Sequence, residues 1–243
     1  PSAAIAALLL VLGAASAHAQ SAEEIVRRME DAQRFRTQEA EGSLVITDRF
    51  GSRTKTFVSW AEGEERMLLA FTNPEEKGQK ILRLESEIYL YFPDAEEVIR
   101  LQGAALKESV MGSDFSYEDL TSEQSVLDLY DARLLGTEQV EGRSRHVLEL
   151  KAKGRGQAYP LQKLWVDAQT YIPRKAEYYA LSGRLLKTLE VLETRQVAGR
   201  AVMTRAIMRD AMKKNSSTEF RVGKVKLDEP LPANIFSLEA LSW

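Results

Sequence analysis

The chain has 243 residues, of which 44% are hydrophobic and 28% are charged, with a formal net charge of −3 and no cysteine. This balance is typical of one large or two small globular domains, and it argues against a protein held mainly to nucleic-acid phosphates. The lack of cysteine excludes disulfide bonds, thiolate metal sites and a cysteine nucleophile, and the two histidines, His18 and His146, are too few for a multi-histidine metal centre. An enzyme is therefore the less expected class.

The N-terminal segment has the pattern of a secretory signal peptide. Residues 1–20 carry no charged side chain, and an apolar run over residues 3–12 leads to the small residues around Ala19. We expect cleavage after Ala19, which would leave residues 20–243 outside the cytoplasm. The alternative is an uncleaved anchor helix, although the apolar run is shorter than the about 20 residues that a bilayer span needs.

One amphipathic helix is predicted at the start of the mature chain. Ser21 lies three residues before Glu24, which is the spacing of a capping box. Apolar residues then recur at approximately helical spacing: Ala22, Ile25, Val26, Met29, Ala32 and Phe35.

The remainder of the chain is dominated by the period-two alternation of β-strands. Six short extended runs over residues 44–101, separated by turn residues, predict an antiparallel meander. Residues 103–120 are less regular, and residues 121–129 suggest a short helix. Strand patterns resume at residues 132–140, 146–152, 161–166, 172–179, 184–195, 201–212 and 217–226, and a short helix or turn is expected near residues 234–238.

The sequence predicts one mainly β domain over residues 20–243. It shows no repeat and no change of composition that would mark a second domain. We expect about eleven strands in a single α+β fold. Because a long open sheet usually curls, splits or rolls up, we expect one strongly curved antiparallel sheet that forms an unclosed β-barrel, with helices covering its mouth.

The candidate catalytic residues lack a catalytic arrangement. His146 lies on a predicted strand near Ser144, but the segment from Gly142 to His146 does not match G-x-S-x-G in its last position. A structural histidine is therefore favoured, and an envelope hydrolase using Ser144 and His146 stays as an alternative. Gly154 and Gly156 match only part of a dinucleotide-binding fingerprint, so a hairpin loop is the preferred interpretation.

Two polar clusters have both a structural and a functional interpretation. The acidic residues Asp114, Glu118 and Asp119 could ligate a hard cation, although their spacing is not that of an EF-hand loop. We expect no metal and no cofactor. A basic cluster late in the chain is either a solvated strand face or a docking surface for an acidic partner or for anionic head groups; it comprises Lys213, Lys214, Arg221, Lys224 and Lys226.

Bulky apolar residues recur along successive early strands. In a closed globule they form the core, whereas in an incompletely closed sheet the same residues would line a cavity suited to acyl chains. The candidate ligand-binding residues are Leu44, Ile46, Val58, Trp60, Leu69, Phe71, Ile88, Leu90 and Phe92.

A resemblance to a known family rests on three segments. The most specific is the decapeptide at residues 111–120, after a tyrosine-rich strand that ends in Tyr91-Phe92-Pro93; the others are residues 22–26 and 231–236. Together they resemble outer-membrane lipoprotein-sorting proteins of the LolA-like superfamily, in its broader and largely uncharacterised branch. The family-motif residues singled out are Met111, Gly112, Ser113, Asp114, Phe115 and Tyr117.

The resemblance implies an unclosed antiparallel barrel with helices as a lid over a hydrophobic cavity that receives lipoprotein acyl chains. We therefore expect a non-enzymatic periplasmic carrier or chaperone for a lipoprotein or other lipid, delivering it to the outer membrane. Its expected partners are that cargo, an inner-membrane exporter and an outer-membrane acceptor, with no nucleic acid. The alternative is an interaction or accessory module of an envelope export complex without its own lipid cargo.

Overall fold

The structure, a computed structural model, describes residues 20–120 and 125–242. The predicted signal peptide and its cleavage site lie outside the described residues, as do residues 121–124 at the start of the second predicted helix. Within the described part, helix α2 spans Val126–Leu129, and the Oγ of Ser125 accepts a hydrogen bond from the backbone N–H of Leu127.

Helix α1 spans Ala22–Gln33, as its periodicity predicts. The Oγ of Ser21 accepts a hydrogen bond from the backbone N–H of Glu24 at 3.1 Å, so Ser21 caps the helix. The helix ends where Arg34 adopts an extended backbone conformation. In residues 20–120 and 125–242 no helix has the length and apolar character needed to cross a membrane.

In the described part of the chain, thirteen antiparallel strands form one sheet, in the order β6-β5-β4-β3-β2-β1-β13-β12-β11-β10-β9-β8-β7. The strands are β1 Thr37–Asp48, β2 Gly51–Glu62, β3 Arg66–Phe71, β4 Lys80–Leu84, β5 Glu87–Phe92, β6 Glu97–Leu101, β7 Tyr130–Val140, β8 Arg143–Ala152, β9 Leu161–Asp167, β10 Pro173–Tyr179, β11 Leu185–Val197, β12 Arg200–Asp210 and β13 Ser217–Leu227.

The mainly β class and the unclosed sheet are confirmed, whereas the expectation of about eleven strands is wrong. Each of the thirteen strands forms its own antiparallel ladder with a neighbour, including the short β6, which pairs with β5 along its whole length. The expectation of one strongly curved surface also needs correction, because the ladder between β12 and β13 stops after four paired residues on each strand.

The inner face of the sheet is the face that α1 covers. The buried side of α1 packs on β7 to β10, in a cluster that includes Ile25, Val26, Leu148 and Val166. A second cluster lies on the inner side of β1 to β5. The outer face of β3 to β5 is covered by the C-terminal residues, of which Leu241 is fully buried.

The segment between β6 and β7, residues 102–120, links the two edges of the sheet and is called the crossing segment. It consists mainly of short 3-10 turns. Val110 and Tyr117 from this segment are buried in the second cluster on the inner face. The crossing segment therefore covers the half of the inner face that α1 leaves open.

Candidate functional site

A gap opens inside the sheet between β12 and β13. These strands pair only from Arg205 opposite Arg221 to Met208 opposite Thr218. In the described ladders, the first half of β12 continues on β11, and the second half of β13 continues on β1. The side chain of Arg195 on β11 reaches across the gap and donates to the carbonyl oxygen of Gly223 at 3.3 Å.

An apolar cavity of about 320 Å³ lies at this gap, between the C-terminal end of α1 and the strands β1 and β10 to β13. Phe35, just beyond α1, forms part of its wall, so the end of the helix overhangs the cavity. Most of the other lining residues are aliphatic and come from the separated strands β12 and β13 and from their neighbours β11 and β1: Ala40, Leu189, Val191, Ala201, Val202, Met203, Val222, Val225 and Leu227.

One aromatic ring of the cavity wall stacks on a second ring outside the cavity. Phe220 lines the cavity and stacks on Phe57, with 6.0 Å between the ring centroids. The Phe57 ring lies against Gly42 on β1; a Cβ at Gly42 would come within 2.6 Å of this ring and of the carbonyl oxygen of Arg221. The lack of a side chain at Gly42 therefore gives the Phe57 ring the space to stack on Phe220.

Charged residues surround the cavity next to the end of α1. Arg34 pairs with Asp31 at 3.0 Å, and Arg200 pairs with Asp228 at 3.0 Å. The Nη1 of Arg200 also donates to the carbonyl oxygen of Arg34 at 2.8 Å, which links β12 to the end of the helix. The backbone N–H of Arg36 and the guanidinium of Arg200 hold the pKa of Asp228 below its usual value. The site thus combines an apolar interior with a charged rim.

The nine candidate ligand-binding residues lie elsewhere. Seven belong to the second cluster on the inner face or pack against it: Leu44, Ile46, Leu69, Phe71, Ile88, Leu90 and Phe92. Trp60 packs against the cluster on the outer face, and Val58 lines a polar groove at the gap. None of the nine is among the residues that line the apolar cavity, and their contact with a ligand stays a prediction.

The family-motif residues lie in the crossing segment. Met111 and Gly112 form a turn with positive φ angles of 49° and 73°. Tyr117 is buried in the second cluster, and Met111 and Phe115 pack against it. Ser113 and Asp114 are buried at the start of β13, where Asp114 accepts hydrogen bonds from Ser216 and Thr218. These contacts fix the crossing segment to the middle of the sheet.

A second polar contact fixes the end of the crossing segment. Asp119 accepts hydrogen bonds from the Tyr159 hydroxyl at 2.8 Å and from the Lys187 ammonium at 3.0 Å. Burial, together with the nearby Asp119 carboxylate, raises the pKa of Tyr159. Asp114 and Asp119 therefore bind different protein donors, and residues 20–120 and 125–242 contain no group of three acidic or histidine side chains arranged to hold a metal ion.

The structure gives His146 neighbours other than Ser144. The Nδ1 of His146 lies 3.5 Å from the Thr137 hydroxyl, and its ring stacks on Tyr171 at a centroid distance of 6.4 Å. Burial lowers the pKa of His146. A nucleophile–base hydrogen bond, which the hydrolase alternative needs, is not among the contacts of these two residues in the described chain. Gly154 and Gly156 lie in the loop between β8 and β9, as the hairpin interpretation predicts.

The late basic cluster does not form one surface. Arg221 pairs with Glu219 on the same strand at 2.9 Å. Lys224 pairs with Glu41 and Lys226 with Glu39, both across the ladder between β13 and β1. Lys213 and Lys214 are separate from these and lie in the turn between β12 and β13.

Sequence reasoning missed the residues of the cavity because they are small or medium aliphatic side chains on late strands. The alternation of apolar and polar residues along these strands is typical of ordinary core packing, and the sequence pattern does not indicate that β12 and β13 separate. The available signal was Gly223, a glycine inside a strand pattern, which can mark a bulge; the structure places the register shift between β13 and β1 at this residue.

Comparisons with known proteins agree with this architecture. A DUF1329 family protein from Desulfovibrio piger has 23% identity and a TM-score of 0.85, with 92% of this chain and 100% of that chain covered. A putative outer membrane lipoprotein-sorting protein domain from Vibrio parahaemolyticus has 23% identity and a TM-score of 0.82, covering 90% and 97%. A LolA superfamily protein from Nitrosomonas europaea has 25% identity and a TM-score of 0.75, covering 91% and 100%.

No curated protein matches the chain. The model of a protein family described as "Uncharacterized protein" matches residues 63–243, from the turn after β2 to the C-terminal residue. This match covers most of the strands and the whole crossing segment. The chain therefore belongs to this family, and its fold matches those of a LolA superfamily protein and of a putative outer membrane lipoprotein-sorting protein domain.

Proposed function

We propose that this protein is a non-enzymatic periplasmic carrier that binds an acyl chain of a lipoprotein or another lipid in the apolar cavity beside the gap between β12 and β13. The observation that carries the proposal is the cavity itself, which is apolar inside and bordered by charged residues. The similarity in fold to a putative outer membrane lipoprotein-sorting protein domain supports the same role.

The physical basis of binding is the transfer of methylene groups out of water. Each buried methylene contributes about 0.8 kcal/mol, so an acyl chain supplies much of its own binding free energy without a catalytic group. A cavity of about 320 Å³ is at the lower end of the roughly 300–1,000 Å³ of ligand pockets. One chain, or the end of one, fits this volume better than several chains do.

The charged rim suits the other end of an amphiphile. Arg34 and Arg200 line both the apolar cavity and the polar recess next to it. A head group that stays at this rim keeps its hydration while its chain enters the interior. Binding then costs no burial of an unpaired polar group.

Entry to the cavity involves the end of α1. Gln33 and Phe35 lie over the cavity, and the helix is held to the sheet mainly by its first two turns, where its buried residues lie. A lid of this kind opens only to the extent that the cargo binds the open form better than the closed form. Delivery to an outer-membrane acceptor would follow when a competing apolar site binds the chain more tightly.

The proposal is tested with residues 20–243 and a fluorescent fatty-acid probe. We expect saturable uptake of the probe. Filling the cavity by Ala201→Trp should weaken the affinity for the probe by about tenfold or more, because the new side chain excludes about two methylene groups of the probe from the cavity. Ala95→Trp is the matched control, since Ala95 is exposed in the turn between β5 and β6, and it should bind like the parent.

Two results would contradict the carrier proposal. One is the absence of probe uptake together with the absence of lipid in an organic extract of the purified protein. The other is equal uptake by the parent and by Ala201→Trp. An accessory role in an export complex, without lipid cargo, would then be the better explanation. Binding of a membrane partner by the Ala201→Trp variant would support that role.

A further inference from the structure

Three hairpin turns emerge side by side from one end of the sheet. They join β1 to β2, β12 to β13 and β10 to β11. The register places them together, because Thr47 lies opposite both Ser52 and Ser217, and Lys187 lies opposite Asp210. With strands about 4.8 Å apart, neighbouring turns are about 10 Å apart.

Each of these turns presents one large apolar side chain to solvent. Phe50 is 82% exposed, Leu181 is 78% exposed and Met212 is 56% exposed. Apolar side chains scattered singly over a surface are ordinary. Here three of them occupy the same end of three adjacent hairpins, so they form a row.

Two of the turns hold the apolar residue outward by the same device. The Asp48 carboxylate accepts a hydrogen bond from the backbone N–H of Phe50 at 2.8 Å, and the Asp210 carboxylate accepts one from the N–H of Met212 at 2.8 Å. Asp48 also pairs with Arg53 on β2, and Asp210 pairs with Lys213 within its own turn. The apolar side chain is left at the tip.

Basic residues flank the same tips. Arg49 precedes Phe50, Arg184 follows Leu181, and Lys213 and Lys214 follow Met212; all four are exposed. The Arg49 guanidinium lies over the Phe50 ring, 4.5 Å from its centroid. On one side of the row the turns at this end of the sheet are acidic, as in Asp94 and Glu96 between β5 and β6. On its other side the loop between β8 and β9 adds the exposed Lys153 and Arg155.

We propose that this row docks the protein on an anionic lipid bilayer. Aromatic and aliphatic tips next to lysine and arginine have the chemistry of an interfacial anchor: the apolar groups enter the boundary between head groups and acyl chains, and the cations contact lipid phosphates. An acidic protein partner would match the charges, but it would also need three separate apolar pockets to bury Phe50, Leu181 and Met212.

The docking surface is independent of the proposed cargo cavity. The cavity is lined by Gln38 at the start of β1 and Leu227 at the end of β13, whereas the row lies at the opposite ends of these strands. Docking would therefore hold the charged rim of the cavity away from the bilayer. A protein that binds no acyl chain could still dock on the bilayer, and a protein that does not dock could still bind an acyl chain.

The test is co-sedimentation of residues 20–243 with vesicles of phosphatidylglycerol and phosphatidylcholine, compared with vesicles of phosphatidylcholine alone. We expect binding to the anionic vesicles that weakens with salt. The triple variant Phe50→Ser, Leu181→Ser, Met212→Ser should lose at least about tenfold in affinity. The variant Arg184→Gln, Lys214→Gln should lose about fivefold for each cation removed.

The matched control replaces exposed apolar residues away from the row, with Leu135→Ser and Leu192→Ser on strands β7 and β11. It should bind like the parent, and the thermal unfolding of all variants should confirm that each is folded. The proposal is overturned if the parent fails to bind anionic vesicles, if it binds both vesicle types equally, or if the folded triple variant binds like the parent.

Discussion

Asp114 and Thr218 hold each other through two hydrogen bonds. The backbone N–H of Asp114 donates to the Thr218 hydroxyl oxygen at 2.8 Å, and this hydroxyl donates to the Asp114 carboxylate at 2.8 Å. Both residues are almost completely buried. A residue of the family motif thus fixes the crossing segment to β13 at Thr218, which is one of the four residues of β13 that pair with β12.

Asp114→Ala should destabilise the fold by about 2–4 kcal/mol, because the substitution removes the charged acceptor of the buried Thr218 hydroxyl and of the half-buried Ser216 hydroxyl. Urea unfolding measures this change. Asp94→Ala, at an exposed turn position, is the control and should change the free energy of unfolding by less than about 0.5 kcal/mol. Equal effects of the two substitutions would remove the anchoring role of Asp114.

Gly42→Ala should cost about 1–3 kcal/mol of stability, because the new Cβ would overlap the Phe57 ring and the carbonyl oxygen of Arg221. Gly154→Ala is the control, since nothing lies within 4 Å of a Cβ at that position. Shortening the ring by Phe57→Leu in the Gly42→Ala background should recover part of the loss. A Gly42→Ala protein as stable as Gly154→Ala would contradict the close approach.

Glu219 predicts a specific acid dependence of stability. Hydrogen bonds from Arg221 and Arg205 lower the pKa of Glu219 from 4.5 to about 2. A lowered pKa in the folded state stabilises the fold above pH 4.5, and this contribution is lost as the pH falls from 4.5 towards 2.

Unfolding experiments on the parent and on Glu219→Gln over this pH range measure that contribution. The difference between the two free energies of unfolding should shrink as the solution is acidified, and high salt should reduce it because Arg205 and Arg221 are about half exposed. A difference that is independent of pH would show that these ion pairs do not contribute.

Phe220→Ala tests the end wall of the cavity. Removing this half-buried ring should cost about 2 kcal/mol of stability and extend the cavity towards Phe57. If the carrier proposal is correct, competition between fatty acids of different length should show a preference for longer chains than the parent prefers. An unchanged length preference in a folded Phe220→Ala protein would mean that the chain does not reach this wall.

Local features of the fold were predictable because they depend on short-range patterns. The spacing of Ser21 and Glu24 indicated the start of α1, and the alternation of Val58 and Trp60 with their neighbours indicated β2. Turn residues separated the strands well enough that every predicted run corresponds to a strand. The total count was wrong because nothing in the alternation shows that even the short runs pair along their full length.

The cavity was not predictable in the same way. Ala40, Val202 and Val225 come together only because β12 leaves β13 after four paired residues, and that separation depends on distant parts of the chain. The apolar residues on the early strands were visible in the sequence, but the crossing segment covers them. Tyr117, which packs over these early-strand residues, belongs to the family motif. The decapeptide sequence alone did not reveal this packing role.

The interrupted ladder has a mechanical consequence. In the described chain no backbone hydrogen bond of the sheet joins residues 200–204 of β12 to residues 222–227 of β13, so spreading these segments apart breaks none. Only side-chain contacts, such as that of Arg195 with Gly223, resist the movement. The sheet can therefore open at this gap while the ladders on both sides stay intact. If the carrier proposal is correct, this freedom lets the cavity accommodate acyl chains of different thickness.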